Sequence, residues 1–148
     1  MTSNVETIYT NCKVIIQATL GSTYSELSHC YDIPRNSFEQ AVKRWGLIVE
    51  RSPEAIGETR HATTDIYFSL ILTDEHGSVE ETDSEVRSKV VEMFGKFELI
   101  WKDLIQQKAG GGPVRLVSGF SIERAAIIEQ TRIIEVLGQF FIRASILV

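Results

Sequence analysis

The sequence predicts an α+β fold, a two-layer sandwich in which a long helix packs on a mainly antiparallel sheet. Three observations carry this. Residues 4–20 and 83–108 have the apolar spacing of helices, and the second has a stripe broad enough to lie on a sheet. Strand patterns occur at 47–49, 62–73, 114–120 and 131–148. Those that follow one another directly favour antiparallel pairing. The 148 residues suit one α+β domain over 1–148, without repeat or linker. A hydrophobic fraction of 43% and a charged fraction of 24% are those of a chain that folds around a core.

In the first helix Val5, Ile8, Tyr9, Cys12, Ile15, Ile16 and Thr19 share a face. Ser3 and Glu6 form a capping box, and Gly21 is a natural stop. Residues 22–33 fit neither period, and Tyr31-Asp32-Ile33-Pro34 reads as extended chain entering a turn. Residues 36–45 predict a short helix capped by Asn36 and ended by Gly46, with Phe38, Ala41, Val42 and Trp45 on one side. A short strand at Leu47-Ile48-Val49 follows, then a loop over 53–58.

In the strand at 62–73, Thr64, Ile66, Phe68, Leu70 and Leu72 alternate with a mixed second face that predicts partial cover. The long helix carries Val86, Val90, Met93, Phe94, Phe97, Ile100, Trp101, Leu104 and Ile105, and Gly110-Gly111-Gly112-Pro113 ends it. Residues 121–130 leave a short helix and a structured loop open. The last strand pattern is the strongest, with Ile134, Val136, Gly138, Phe140, Ile142, Ala144, Ile146 and Val148 on one face. Its other face is too apolar for free solvent and needs cover from a helix or another protein. Eighteen extended residues would span about 60 Å, which predicts a bulge or bend near Gly138.

The formal charge of −5 argues against nucleic-acid binding driven by the backbone. Asp74, Glu75, Glu80, Glu81, Asp83 and Glu85 fall in one stretch without Lys or Arg, which reads as a solvated hairpin end or as an electrostatic docking face. The first residues lack a signal-peptide pattern and no apolar run is long enough to span a membrane, so no membrane partner is expected. Cys12 and Cys30 are expected unbridged.

Catalytic signals are weak. His29, His61 and His76 are scattered, and no convergent set of ligands suggests a metal. The acidic stretch lacks calcium-loop spacing. The glycine run at 110–112 follows a helix and has no Lys-Ser or Lys-Thr after it, unlike a phosphate loop. Ser118-Gly119-Phe120-Ser121 is the nearest approach to a nucleophile elbow and reads as a strand end. The expectation is no enzyme, no metal and no cofactor.

Tyr31-Asp32-Ile33-Pro34-Arg35-Asn36-Ser37-Phe38, Trp45-Gly46, Phe68-Ser69-Leu70-Ile71-Leu72-Thr73-Asp74 and Asp83 together resemble the tail terminator, or tail-completion, family of neck proteins of tailed bacteriophages. The likeness spans roughly 31–148. Trp45-Gly46 stands where that family has Tyr-Gly, and Ile-Leu-Val runs on after the Arg143 strand. The resemblance implies a structural subunit of the virion tail or neck, soluble in the host cytoplasm before assembly. It implies a homohexameric ring that ends the tail tube and joins it to the head. Its partners would be further copies of itself, the tail tube protein and a neck or head-completion protein, with DNA passing non-specifically through the ring. Asp74, Glu75, Glu80, Glu81 and Asp83 would face a neighbour or the pore, with Arg143 as a basic counterpart. Asn36 and Trp45 would order the first half of the chain. Tyr31 and Trp45, both near chain irregularities, are candidate partner contacts. Two alternatives stay open: a monomeric acidic binding or immunity-type protein, and a small enzyme with an unmarked cleft.

Overall fold

The computed structural model describes residues 4–27, 43–51, 63–75, 83–127 and 133–145. Helix α1 covers Asn4–Leu20 and stops at Gly21, whose φ of 72° suits glycine. A 3₁₀ turn and a two-residue strand β1, Ser25–Glu26, follow. Then come β2, Arg44–Arg51, and β3, Thr63–Glu75. Helix α2 runs Asp83–Gln106, and β4 (Val114–Val117), β5 (Ser121–Ile127) and β6 (Ile133–Ser145) complete the order.

The strands form a sheet in the order β1-β2-β3-β6-β4, with β5 also pairing β6. Among the described strands only the β1–β2 pairing is parallel; the other four are antiparallel. Both helices pack against one face. Ile8, Cys12, Ile16 and Leu20 of α1 and Met93, Phe97, Ile100 and Leu104 of α2 share a core with Phe68, Leu70, Leu72, Val136, Phe140 and Ile142. This is the two-layer α+β arrangement that the patterns predict.

Three local expectations are corrected. Trp45 does not end a helix: it lies in β2 opposite Leu72, with Gly46 opposite Ile71. Long-range pairing with β3 overrides the local helical spacing there, and residues 36–42 lie outside the described part of the chain. Residues 121–127 are a strand, held by the ladder to β6. Finally, β6 has no bulge at Gly138, since its register with β3 runs unbroken from Thr63↔Ser145 to Glu75↔Ile133. The irregularities fall in its neighbours, between Val114 and Leu116, between Ile122 and Arg124, and between Val49 and Arg51. Gly138 serves packing instead: a Cβ there would lie 2.7 Å from a ring carbon of Phe97.

One edge of β6 thus pairs with β3 throughout, while the other is divided between β4 and β5. At the division Ser118 maintains the ladder. Its N–H donates to the Phe141 carbonyl at 2.9 Å, and its Oγ accepts from the Phe141 N–H at 2.8 Å. On the reverse face of the sheet Ser69, Ile71, Thr73, Ile133 and Glu135 are buried, so cover is strongest toward the Ile133 end of β6. The turn after α2 holds Lys108 and Ala109 at φ near 50°, a strained state for side-chain-bearing residues that the buried Ala109 and three positive-φ glycines accommodate.

Candidate interaction surface

In α2 the inward positions Met93, Phe97, Ile100 and Leu104 are at most 3% exposed. The predicted stripe is wider than this, and its surplus turns sideways. Phe94, Trp101 and Ile105 each follow an inward position by one residue, a rotation of about 100°. They face the side where β4 and β5 end the sheet. Trp101 and Ile105 remain 42% exposed. Between Phe94, Phe97 and Trp101 on the helix and Gly119, Phe120 and Ile122 on the sheet runs a groove of about 380 Å³, with Glu98 at its rim. A second depression of about 400 Å³ adjoins β4, with Lys108 and Arg115 beside Ile105 and Leu116.

The floor of the groove is a chain of packed aromatic rings. Phe97 meets Phe120 edge-on at 5.0 Å, Phe120 meets Phe140 at 4.7 Å, and Phe140 stacks on Phe68 at 5.2 Å. The outer wall is bare. Ser121 through Ala125 and Ile127 are exposed, and no described strand pairs with the outer edge of β5. Such an edge is a template for another chain unless it is shielded, and β5 carries a bulge and the exposed charged residues Glu123 and Arg124.

A third, unlike depression of about 450 Å³ lies on α1, lined by Lys13, Val14, Gln17 and Ala18 with Glu26 and Trp45. Val14 is 64% exposed, and Lys13 pairs with Glu26 at 2.8 Å. Gln17 anchors the site, accepting from Trp45 Nε1 at 2.7 Å and donating to the carbonyls of Gly21 and Tyr24.

Several charged groups elsewhere are engaged within the chain. Lys43 bonds Glu92 at 2.9 Å, lies 4.0 Å from Asp74, and sits over the Tyr24 ring. The Lys43 hydrogen bond and charge hold the Glu92 carboxyl below its ordinary range. Burial, with Asp74 and Glu92 nearby, pushes Tyr24 up to about 12. The almost fully buried Glu135 is bonded by Arg124 from β5.

The residues singled out in the sequence do not form one cluster. Asp74 is buried at the end of β3, its Oδ1 accepting the Glu75 N–H at 2.7 Å, rather than standing on a solvated hairpin tip. Glu75 accepts Lys89 Nζ through its backbone carbonyl at 2.6 Å. Asp83 opens α2, while Tyr31, Glu80 and Glu81 lie outside the described residues. Trp45 is 1% exposed, a core residue on the helix-covered face of β2, and this corrects its assignment as a partner contact. Arg143 grips both carboxylate oxygens of Asp65 at 2.8 and 3.2 Å. That pair stands nine register positions along β3 from Asp74, roughly 30 Å at the usual rise, so Arg143 does not meet Asp74 within one chain. Sequence reasoning missed Trp101, Ile122 and Val14 as surface residues. A usable signal was present, because the α2 stripe is wider than one sheet contact requires.

Among the described residues no group of three His, Cys, Asp or Glu could hold a metal ion, and no helix is long and apolar enough to cross a membrane. His29, His61, His76 and Cys30 lie outside them.

No family model matches the chain, and no curated protein matches it. Among solved structures it is similar to a chain from the virion of a native gene transfer agent (GTA) particle. That similarity has a TM-score of 0.41 and 13% sequence identity, over 93% of this chain and 91% of the other.

Proposed function

We propose that the protein is a non-catalytic structural subunit of a phage or phage-like virion. In this reading it sits in the tail or neck as a ring, hexameric as in the terminator family, that ends the tail tube and joins it to the head. The tail tube protein and a neck or head-completion protein are its partners, DNA passes through its lumen, and 1–148 acts as one domain. The observation that carries the reading is the aromatic-floored groove beside the edge of β5 that no described strand pairs. Exposed apolar surface next to a free strand edge is the surface of a protein that works in an assembly. The motifs from Tyr31 to Asp83 direct that assembly to the phage tail. The rival, an acidic protein masking a basic partner, draws on a stretch whose first member, Asp74, is buried beside Lys43.

The test is electron microscopy of assembled particles, and of the protein mixed with its tail tube. Six copies at the head-proximal end of the tail are expected. Absence from particles, with turnover of a small substrate in solution, would overturn the proposal.

A further inference from the structure

The helix layer stops one strand short of the sheet. Ile122 and Ile127 of β5 lie opposite Gly138 and Ile134, whose positions on β6 meet the helix-side core. Both are therefore on the helix side of the sheet, but they are 39% and 43% exposed, and Ala125 between them is exposed as well. An apolar strip of β5 thus lies open beside Trp101 of α2. Beyond it the sheet ends in an outer edge of β4 and β5 that no described strand pairs. The charges of β5 itself are engaged. Arg124 reaches Glu135 on the reverse face, and Glu123 at the bulge accepts from Ser121 Oγ at 3.2 Å. Past the bulge the ladder from Arg124 to Ile127 is regular, which leaves an even edge there. Alternate residues of an edge strand point N–H and C=O outward. The strip is bordered on one side by a helix flank and on the other by backbone donors and acceptors. An extended chain can satisfy those groups; a helix, whose backbone is already bonded, cannot.

The two ends of the strip differ in charge. Glu98 is exposed at the rim of the first depression. Ile105, one turn beyond Trp101, lines the next depression with Lys108 and Arg115. Both cations are exposed, and among the described residues neither side chain has a hydrogen-bonding or ion-pairing partner. The order along the edge from β5 to β4 is thus acidic, apolar, basic. An antiparallel strand added to β5 runs in that same direction, so its carboxyl end meets the cations.

We infer that this edge takes up an extended segment of a different protein as an added antiparallel strand. Alternate apolar side chains of that segment enter the Trp101–Ile122 groove. A basic residue before them faces Glu98, and acidic residues at the carboxyl end face Lys108 and Arg115. In such strand addition the main-chain bonds supply affinity and the side-chain groove supplies selectivity. This rests on reading the chain as an assembly subunit and names the chemistry of the segment it receives.

The test is fluorescence anisotropy of the full chain with a labelled synthetic peptide: lysine, then alternating valine and threonine, then glutamate and aspartate. A second peptide exchanges the charged ends. The first is expected to bind, the second about fivefold more weakly, and Arg115→Glu should cancel that preference. Two further peptides carry N-methyl groups on one or the other alternating set of amides. One should bind about tenfold more weakly and the other unchanged, since an added strand bonds the edge through one set alone. No binding by the first peptide, equal binding by the two charge orders, or equal binding by the two methylated forms would each overturn the inference. A second copy filling the edge would give the first of these results, and a helical occupant the last. The peptide comparisons need only the wild-type chain, so a misfolded Arg115→Glu variant leaves the test standing. Failure of the virion reading looks different: peptide binding would persist in solution while the protein is missing from particles.

Discussion

Replacing Gly138 by alanine tests how β6 meets α2. The added Cβ would lie 2.7 Å from Phe97 Cε1 and 3.3 Å from both Phe97 Cδ1 and Ile122 Cδ1. The first distance is shorter than carbon atoms tolerate, so Phe97 must move. Phe97 is 3% exposed and is held edge-on by Phe120, so it has little room. Overpacking of this kind costs about 1–3 kcal/mol. Restricting a glycine in the unfolded chain returns about 0.4–1 kcal/mol where the conformation is compatible. The balance is a loss of about 1–2 kcal/mol, which for a chain of this length lowers Tm by roughly 2–8 °C. Thermal unfolding followed by circular dichroism measures it. The diagnostic control is Phe97→Leu, which removes the obstructing ring edge. In that background Gly138→Ala should cost less, and the difference is the coupling between the two sites. A glycine kept only to bend the strand would give the same loss in both backgrounds. That equality, or a Gly138→Ala variant as stable as wild type, would refute the close-approach argument.

Arg124→Ala should destabilise by about 1–3 kcal/mol in urea titration, because it removes a bond from a carboxylate at 1% exposure. Asp65→Ala, which breaks an exposed pair, should cost clearly less; equal losses would contradict the assigned burial. Cys12 is buried, and burial pushes its thiol up to about 12, so it stays a thiol at about pH 8. In a Cys30→Ser background, Ellman's reagent should therefore label Cys12 only on unfolding, and rapid labelling of folded protein would contradict this. The carboxyl of Glu92 is held lower in the folded chain than in the unfolded one, so its contribution is full above the unfolded pKa and fades as pH falls through the folded one. Lys43→Met should accordingly flatten the acid side of the stability curve, read from urea midpoints across pH, and an unchanged slope would show that the pair does not matter in solution.

The elements that the sequence reveals are those whose own side chains record their burial. In α1, α2, β3 and the core face of β6, apolar residues recur at the period of the element because one face of each meets the core. β5 was not legible because its residues are exposed and a bulge at Glu123 breaks the alternation. Its conformation is imposed by the backbone of β6. Trp45 misled for a related reason. A large aromatic followed by glycine imitates a helix end, whereas pairing with Leu72 and Ile71 makes the same dipeptide strand. The groove was only half visible. Its helical wall follows from the excess width of the α2 stripe, but which neighbour stops short of covering it depends on where the sheet ends, and single-chain periodicity carries no information about that.

The shared strand β6 also sets when the molecule can come together. It is made after every element it joins, and among the described strands it alone links β3 to β4 and β5. Until β6 leaves the ribosome, β3 has one ladder instead of two, and β4 and β5 lack the described strand they pair with. Loop closure must be met before these distant pairings return any stability, a topology that folds slowly. The sheet therefore cannot be completed before β6 is synthesised. Before that step the apolar face of α2 and several strand edges are open together, which makes the incomplete chain a natural client for a chaperone and prone to aggregate when crowded.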